Sequence, residues 1–296
     1  MQPAIARRAW TVYEPYHASG YFAPEMRQHL EATGLKGGWM CYFASRSAPM
    51  GAVTAPVVSA AFCYFHPAMV GRAIPDAWTF ATPTDVIAAR YAGADVMLRR
   101  LLDGQIADDD LREAADLARA AAESTNLGGR ALSTATAALE WPDEPHLVLW
   151  HAATVLREHR GDGHVAALIS EGLDGLDALV TAAGAGKAPA ELLRTARGWS
   201  ADEWAAANDR LRERGLVSAT GELTAVGQRI RDSLEVRTDA LALAPWEHLG
   251  EQRTQRLLDR LGAVVERLTR AGEFPYPNPT GLPRPTDSPP AQDGDQ

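Results

Sequence analysis

The sequence is poor in the residues that build disulfide frameworks, thiolate metal sites and membrane spans. Its 296 residues include two cysteines, Cys41 and Cys63, and both lie among aromatic residues. Without a third or fourth cysteine a thiolate zinc site is excluded, and the two thiols indicate buried side chains in a reducing cytoplasm. The longest apolar run, residues 52–65, contains Pro56 and is too short to span a bilayer. We therefore expect a cytoplasmic protein that does not enter a membrane.

Motifs that hold nucleotides or activate a nucleophile are also missing. The sequence has no glycine-rich loop followed by lysine, no Gly-x-Gly-x-x-Gly and no Gly-x-Ser-x-Gly. Glu14 and His17 have the Glu-x-x-His spacing of di-iron helix bundles, but such a site needs a second motif of this kind and further carboxylates. No second Glu-x-x-His occurs. The expectation is a protein without a cofactor and without a metal, and a mononuclear site built from scattered His and Glu is the alternative.

Helical periodicity dominates the chain, and alternating strand patterns are nearly absent. The proline-bracketed turn at residues 141–145 is predicted to separate two domains that pack together. Residues 1–141 are predicted to form a helical ligand-binding domain, and residues 145–271 a winged-helix-like domain with C-terminal helices. Residues 275–296 are rich in proline and poor in apolar groups, so this tail is predicted to be disordered.

The second domain has the element order of a winged helix. A helix is predicted over His146–His159, ended by the glycines at residues 161–163, and the recognition helix is predicted over Ser200–Arg214. A short strand, a tight turn at Thr220 and Gly221 and a return strand predict the wing. The expected fold class is all-α with a small β-wing, the helical N-terminal domain being packed on the C-terminal winged-helix-like domain.

Several short motifs resemble those of one protein family. They are Trp150–His164, Arg197–Trp204 leading into Arg214-Gly-Leu-Val, Glu14-Pro-x-His17, Tyr21-Phe-x-Pro-Glu25 and Tyr42-Phe-x-x-Arg46-x-Ala-Pro-Met-Gly51. With these motifs the chain, apart from its tail, resembles an actinobacterial family that has a helical N-terminal domain and a C-terminal MarR-like winged-helix (helix-turn-helix) segment. The resemblance implies this arrangement of domains, and it implies no particular reaction.

The charge distribution argues against DNA as a partner. Residues 1–140 carry 12 Lys/Arg against 14 Asp/Glu, and the remainder carries 17 against 24, so the half that resembles a DNA-binding domain is the more acidic one. The recognition helix opens with Asp202 and Glu203. Neutralisation of phosphates supplies most non-specific affinity for DNA, and this surface is unsuited to it. A basic patch formed by Arg194, Arg197 and Arg229 is the alternative.

A first candidate for a functional cluster lies on the Trp150 helix. His151 and Glu158 are two turns apart and share one helical face, so both side chains are expected to project into one cleft. In the functional interpretation His151 is the catalytic acid/base and Glu158 supports it. In the alternative, the charged residues at the end of this helix form an ordinary capping network.

A second candidate cluster lies in the N-terminal domain. Aromatic walls with a few convergent polar groups are typical of small-molecule pockets, and Arg46 could bind a carboxylate, sulfate or phosphate in bidentate fashion. In the alternative, the aromatic residues fill a helical core and Arg46 pairs with Glu14 or Glu25. The predicted ligand-binding residues are Glu14, His17, Trp39, Tyr42, Phe43, Arg46 and His66.

These observations lead to two hypotheses on function. The first is a small-molecule-binding protein of specialised metabolism with a non-DNA-binding winged helix, acting as a cofactor-free enzyme or as a ligand-sequestering protein. The alternative is a ligand-responsive MarR-like transcription regulator, and a structural partner protein is a third class. The expected partners are an anionic small molecule and a second copy of the chain, bound as a homodimer through the C-terminal helices.

Overall fold

The computed structural model describes residues 1–102, 108–272, 274, 275, 277, 278 and 282, and these residues are predominantly helical. The helices of the first half are α1 (Ala4–Ala18), α2 (Pro24–Ala32), α3 (Gly37–Ser47), α4 (Ala55–Ala61), α5 (Pro67–Gly71), α6 (Ala77–Phe80), α7 (Pro83–Leu102), α8 (Asp108–Glu123) and α9 (Ala131–Ala137). Those of the second half are α10 (Pro145–Ser170), α11 (Gly175–Gly184), α12 (Ala190–Ala196), α13 (Ala201–Glu213), α14 (Ala225–Leu241), α15 (Ala244–Leu249) and α16 (Glu251–Arg270).

Helix α10 runs unbroken for 26 residues through the middle of the protein, in contact with α1, α7, α8, α9 and α14. The predicted end of this helix at residues 161–163 is wrong, because both glycines of that segment lie inside it. A Cβ atom on Gly163 would lie 2.8 Å from Nη1 of Arg130 and 3.2 Å from Cβ of Leu241. The missing side chain therefore allows neighbouring groups to approach α10 closely, and it does not end the helix.

The largest hydrophobic core surrounds α10 and joins the two halves of the chain. It contains Trp150 of α10, Tyr16 of α1, Met97 of α7 and Leu257 of α16, each less than 3% exposed. Smaller cores lie beneath α3 to α5 and between α11, α13 and α14. The predicted boundary at residues 141–145 consequently does not separate two hydrophobic cores.

Helix α16 buries its apolar face within the chain. Leu257, Leu261, Val265 and Leu268 are all nearly inaccessible, and the helix packs against α1 and α8. A homodimer through the C-terminal helices stays a prediction, and it has to use the polar face of α16. None of the helices in the described ranges is long and apolar enough to cross a membrane.

The wing is smaller than the sequence predicted. In the described part of the chain no strand forms between α13 and α14, and a single antiparallel bridge joins Val217 to Leu223. The return segment is short because Thr224 already caps α14, where its hydroxyl accepts a hydrogen bond from the backbone of Gly227 at 3.1 Å. The predicted β-wing is thus reduced to one bridged turn.

Part of the tail that was predicted to be disordered is packed on the core. Asn278 and Leu282 are buried, and the Asn278 side chain donates to and accepts from the backbone of Leu282. Leu282 and Phe274 form a small apolar cluster with Ala18 of α1. The two apolar side chains anchor these residues, which corrects the prediction for them. Residues 276, 279–281 and 283–296 lie outside the described residues.

Candidate functional site

A cavity of about 260 Å³ lies between α1, α3, α10 and α14, and we call it the main cavity. Its charged lining consists of five arginines and four carboxylates, namely Arg46, Arg157, Arg160, Arg197, Arg231, Glu14, Glu158, Asp162 and Glu235. Its aromatic lining consists of Trp10, Tyr42, Phe62, Tyr64 and Phe65. A site of this composition suits a ligand with an apolar body and polar or charged ends.

Arg46 and Glu158 form the most buried ion pair of the main cavity. Nη2 of Arg46 donates to both carboxylate oxygens of Glu158, at 2.8 and 2.9 Å, and Nη1 donates to the hydroxyl of Tyr42 at 2.8 Å. Burial on its own raises the pKa of Glu158, but the neighbouring Arg46 and Arg157 outweigh it and hold that pKa below its usual range. Glu158 is therefore ionised at neutral pH.

Arg157 extends this network to α1. Its Nη1 donates to Glu158 at 2.9 Å, and its Nε donates to Oε1 of Glu14 at 3.0 Å. The second oxygen of Glu14 is buried and has no hydrogen-bond partner within the described residues.

Arg46 also contacts an aromatic ring. The ring of Phe62 lies 4.2 Å from the guanidinium of Arg46, close enough for a cation–π contact.

Helix α14 supplies the opposite end of the main cavity. Arg160 donates to Asp239 at 2.8 Å and lies 3.5 Å from Glu235, which in turn pairs with Arg231 at 3.6 Å. Asp162 lines the same region, and burial raises the pKa of its carboxyl to about 6. This carboxyl exchanges its proton close to neutrality.

A second cavity, of about 80 Å³, lies behind α3 and is bounded by α1, α2, α7 and α10. Its inner wall contains His17, Tyr21, Ser45, Arg90 and Trp150, and Tyr42 lines this cavity as well as the main one. The two cavities are therefore neighbours that share the side chain of Tyr42.

The start of the recognition helix α13 is packed on the N-terminal half. Nε2 of His66 lies 2.8 Å from a carboxylate oxygen of Glu203, and the indole of Trp199 donates to the backbone oxygen of Tyr64 at 2.8 Å. Ser200 and Glu203 also form a reciprocal capping box. Trp199 and Glu203 thus link the start of α13 to residues 64–66, while Asp202, Ala205 and Asp209 of the same helix are exposed.

The cations of α13 and of the turn that follows it are already paired. Arg210 donates to Asp177 at 2.9 Å, Arg212 pairs with Asp209 at 2.8 Å, and Arg214 donates to the backbone oxygen of Gly172 at 2.9 Å. Each of these contacts competes with phosphate for the guanidinium.

A helix-turn-helix family model matches residues 6–275. The chain belongs to this helix-turn-helix family. No match was found among curated proteins, and none among solved structures. The family match covers α1 as well as α12 and α13, so the family is defined by the whole helical core and not by its helix-turn-helix segment alone.

In this helix-turn-helix protein the predicted site residues divide into three groups. The main cavity is lined by Glu14, Tyr42, Arg46 and Glu158, and the second cavity by His17 and Tyr42. Trp39 and Phe43 line neither cavity and form an aromatic stack behind Tyr42, with ring centroids 6.1 Å apart. His66 and His151 line neither cavity.

The predicted catalytic pair of His151 and Glu158 is not formed. His151 hydrogen-bonds the hydroxyl of Tyr91 through Nδ1, and its ring meets the edge of Trp141 at 4.4 Å. Burial lowers the pKa of His151 to about 4. Although both residues lie on one face of α10, this face is covered by α7 and Trp141 at His151 and by α3 at Glu158. Helical spacing alone did not show which neighbour covers each turn.

Glu14 and His17 have different partners, contrary to the metal motif that their spacing suggested. Glu14 pairs with Arg157, whereas His17 contacts Thr154 through Nδ1 and Tyr21 through Nε2, both at 2.8 Å. Burial lowers the pKa of His17 well below its usual range, so the ring is neutral. In the described part of the chain no three His, Cys, Asp or Glu side chains are grouped to hold a metal ion.

The sequence interpretation missed Arg90, Arg231 and Glu235. A signal was present for Arg90, because it stands at helical spacing from the buried Val86 and Ala94 on the core-facing side of α7. Arg231 and Glu235 have the i,i+4 spacing of a helix ion pair. Their distance from Arg160, which lies on another helix, could not be read from the sequence.

Proposed function

We propose that this helix-turn-helix protein binds an anionic small molecule in the main cavity and does not bind DNA through α13. The observation that supports it most is the cluster of five arginines, four carboxylates and five aromatic side chains around a cavity of about 260 Å³.

Arg46 is the residue that we assign to the anionic group of the ligand. It already stacks on Phe62, its Nη2 donates to both oxygens of Glu158 and its Nη1 donates to Tyr42. A ligand carboxylate, sulfate or phosphate would share or displace these contacts. Tyr42 and Phe65 supply the apolar wall. If the protein is an enzyme, Asp162 is the acid/base to test in place of His151, because Asp162 lines the cavity and exchanges its proton near neutrality.

The DNA part of the proposal rests on the recognition helix. Its first turn carries Asp202 and Glu203, its start is packed on residues 64–66, and its arginines are paired. A reader of duplex DNA needs several free cations near phosphates, because the release of counterions supplies most of the affinity.

The second candidate is a ligand-responsive regulator with a MarR-like winged helix. It is favoured by one observation, which is that Arg197, at the end of α12, lines the main cavity together with Leu179 of α11. A ligand in the cavity therefore touches the helix-turn-helix segment directly. Such contact is what a population shift of that segment requires.

A ligand screen with two matched variants tests the proposal. Aromatic carboxylates, sulfates and phosphates are added to the full-length protein, and melting temperature and calorimetric affinity are measured. For compounds that bind the wild type, the affinity should fall roughly tenfold or more in Arg46→Lys. Lysine keeps the positive charge but lacks the planar guanidinium that can donate two parallel hydrogen bonds. The exposed Arg212→Lys is the control and should bind as the wild type does. Equal affinity in both variants contradicts the assignment.

A DNA selection separates the two candidates. The full-length protein is incubated with randomised duplexes at physiological salt, with and without any compound found in the screen. We expect no enrichment of a sequence motif. Sub-micromolar, sequence-selective binding that weakens on substitution in α13 contradicts the proposal and supports the regulator.

A further inference from the structure

The second cavity contains a buried arginine, Arg90, that has no carboxylate as an ion-pair partner among the described residues. Arg90 is 4% exposed, and no acidic side chain of the described residues forms an ion pair with it. Its Nη1 donates to the backbone oxygen of Ser45 at 3.3 Å, and its Nη2 is buried without a hydrogen-bond partner among the described residues. A buried cation is costly unless a counter-charge and hydrogen bonds compensate it.

The surroundings of Arg90 reduce this cost only in part. The guanidinium lies 4.8 Å from the ring of Trp150, a distance at which the π-electrons attract a cation. The nearest carboxylate network is that of Glu158, which is engaged by Arg46 and Arg157. Burial holds the pKa of Arg90 below its usual range, in agreement with an uncompensated charge.

The other groups of the second cavity are neutral or face its mouth. His17 is neutral because of its burial, and burial raises the pKa of the Cys41 thiol to about 11, so that it stays protonated. The hydroxyl of Tyr42 accepts a hydrogen bond from Arg46, which leaves its own proton free to be donated. Among the described lining residues Arg27 is the other charged group, and it is exposed and paired with Glu31.

We propose that the second cavity binds the carboxylate group of a small organic acid, with Arg90 as its counter-ion. A single unmatched cation favours a monoanion over a dianionic phosphate, and the planar fork of arginine matches a carboxylate. The volume of about 80 Å³ is several times that needed for one water and fits an acid of a few carbon atoms. The exposed Gly38 and Arg27 mark the opening to solvent.

This site is independent of the ligand proposed for the main cavity. Arg90 does not line the main cavity, and Arg46 does not line the second one. The two cavities share Tyr42, whose hydroxyl accepts from Arg46, so an Arg46 variant can affect both of them. Arg90 variants therefore test the second cavity, and loss of propionate binding in them leaves the proposal for the main cavity intact.

Propionate is the probe, with formate, benzoate and phosphate for comparison. Melting temperature and calorimetric affinity of the full-length protein are measured at constant ionic strength, with chloride as the reference anion. We expect propionate to raise the melting temperature relative to chloride, and phosphate to have no larger effect than chloride. Arg90→Met should lower the affinity for propionate at least tenfold, and Arg90→Lys should lower it by a smaller factor.

Arg99→Met is the matched control, because Arg99 lies on the same helix, is exposed and is paired with Asp95. This variant should bind propionate as the wild type does. Stabilisation by propionate that persists in Arg90→Met overturns the assignment, since the anion then binds elsewhere. An Arg90-dependent effect of phosphate as large as that of propionate overturns the preference for a carboxylate. No effect of any carboxylate on the wild type overturns the site itself.

Discussion

Arg46 and Arg90 are two buried arginines with opposite electrostatic surroundings. They are 7% and 4% exposed, and each stacks on an aromatic ring. Burial lowers the pKa of both guanidiniums, but at Arg46 the carboxylate of Glu158 more than reverses the effect. Burial alone therefore does not distinguish a structural arginine from a binding arginine, and the distinction lies in whether the chain itself supplies the counter-charge.

The largest effect is expected at Glu158, because two buried arginines share its carboxylate. Glu158→Gln keeps the shape of the side chain and leaves Arg46 and Arg157 without that charge, so the free energy of unfolding should fall by about 3–5 kcal/mol. Denaturant unfolding measures the loss. In Arg46→Met/Glu158→Gln one uncompensated cation is also removed, so the double variant should lose less than the sum of the two single variants. Strict additivity contradicts a coupled pair.

Protonation of buried histidines should lower the free energy of unfolding by a somewhat smaller amount. Burial lowers the pKa of His151 to about 4, whereas an unfolded histidine titrates near 6.5. Between these values the unfolded chain binds the proton first, so stability falls as the pH is lowered from about 6.5 to 4, by up to about 3 kcal/mol for this group. A protonated His151 would resemble Arg90, as a buried cation with no carboxylate.

The pH dependence is measured by unfolding the wild type and His151→Gln at a series of pH values. His159 and His164 have pKa values lowered in the same way, and Asp162, whose pKa is raised to about 6, contributes with the opposite sign. The difference between the two proteins removes these shared contributions. If His151→Gln loses stability as steeply as the wild type, His151 does not titrate as its burial requires.

Much of the fold followed from the sequence because it depends on local signals. The proline at the start of α10 and the capping residue Ser200 mark helix ends that neighbouring residues determine. The unbroken course of α10 did not follow, because Gly163 reflects contact with Arg130 and Leu241 and not a helix stop. The burial of Leu282 was also not predicted. A single apolar residue in a proline-rich segment forms no hydrophobic pattern from which packing could be inferred.

The candidate site followed from the sequence less completely. Arg46 and Glu158 were each expected to be functional, but their direct pairing across more than a hundred residues depends on how α3 meets α10. His151 was placed beside Glu158 on helical spacing, and tertiary packing turned it towards Tyr91. The sequence thus indicated which residues are candidates for the site. Which of these side chains contact one another was shown only by the packing of the helices.

A smaller effect is expected when the unmatched arginine is removed. Arg90→Met deletes a buried cation that has no carboxylate, so in the absence of ligand the free energy of unfolding should change by less than about 1 kcal/mol, in either direction. Arg46→Met should lose more than this, because it breaks the pair with Glu158. Both variants are compared by denaturant unfolding in chloride. A loss at Arg90 as large as that at Arg46 would show that an unrecognised contact compensates Arg90.

The smallest effect is expected for an arginine that is paired but exposed. Arg212 and Asp209 lie 2.8 Å apart on the surface of α13, and both side chains are at least half exposed. An exposed pair at i,i+3 gains little in water, so Asp209→Asn should change the free energy of unfolding by less than about 0.5 kcal/mol. The substitution also frees one cation on the recognition helix.

Asp209→Asn therefore separates two explanations of the weak DNA binding that we propose. If paired arginines alone prevented it, one freed cation would add about one phosphate contact and steepen the salt dependence accordingly. If the contact of His66 with Glu203 restricts how closely the start of α13 can approach DNA, the variant should bind duplex DNA as weakly as the wild type. Fluorescence anisotropy over a range of salt concentrations measures both slopes. If the salt dependence of DNA binding has the same slope in both proteins, restricted access to α13 is favoured. On an accessible helix the freed arginine would make the slope of the variant steeper.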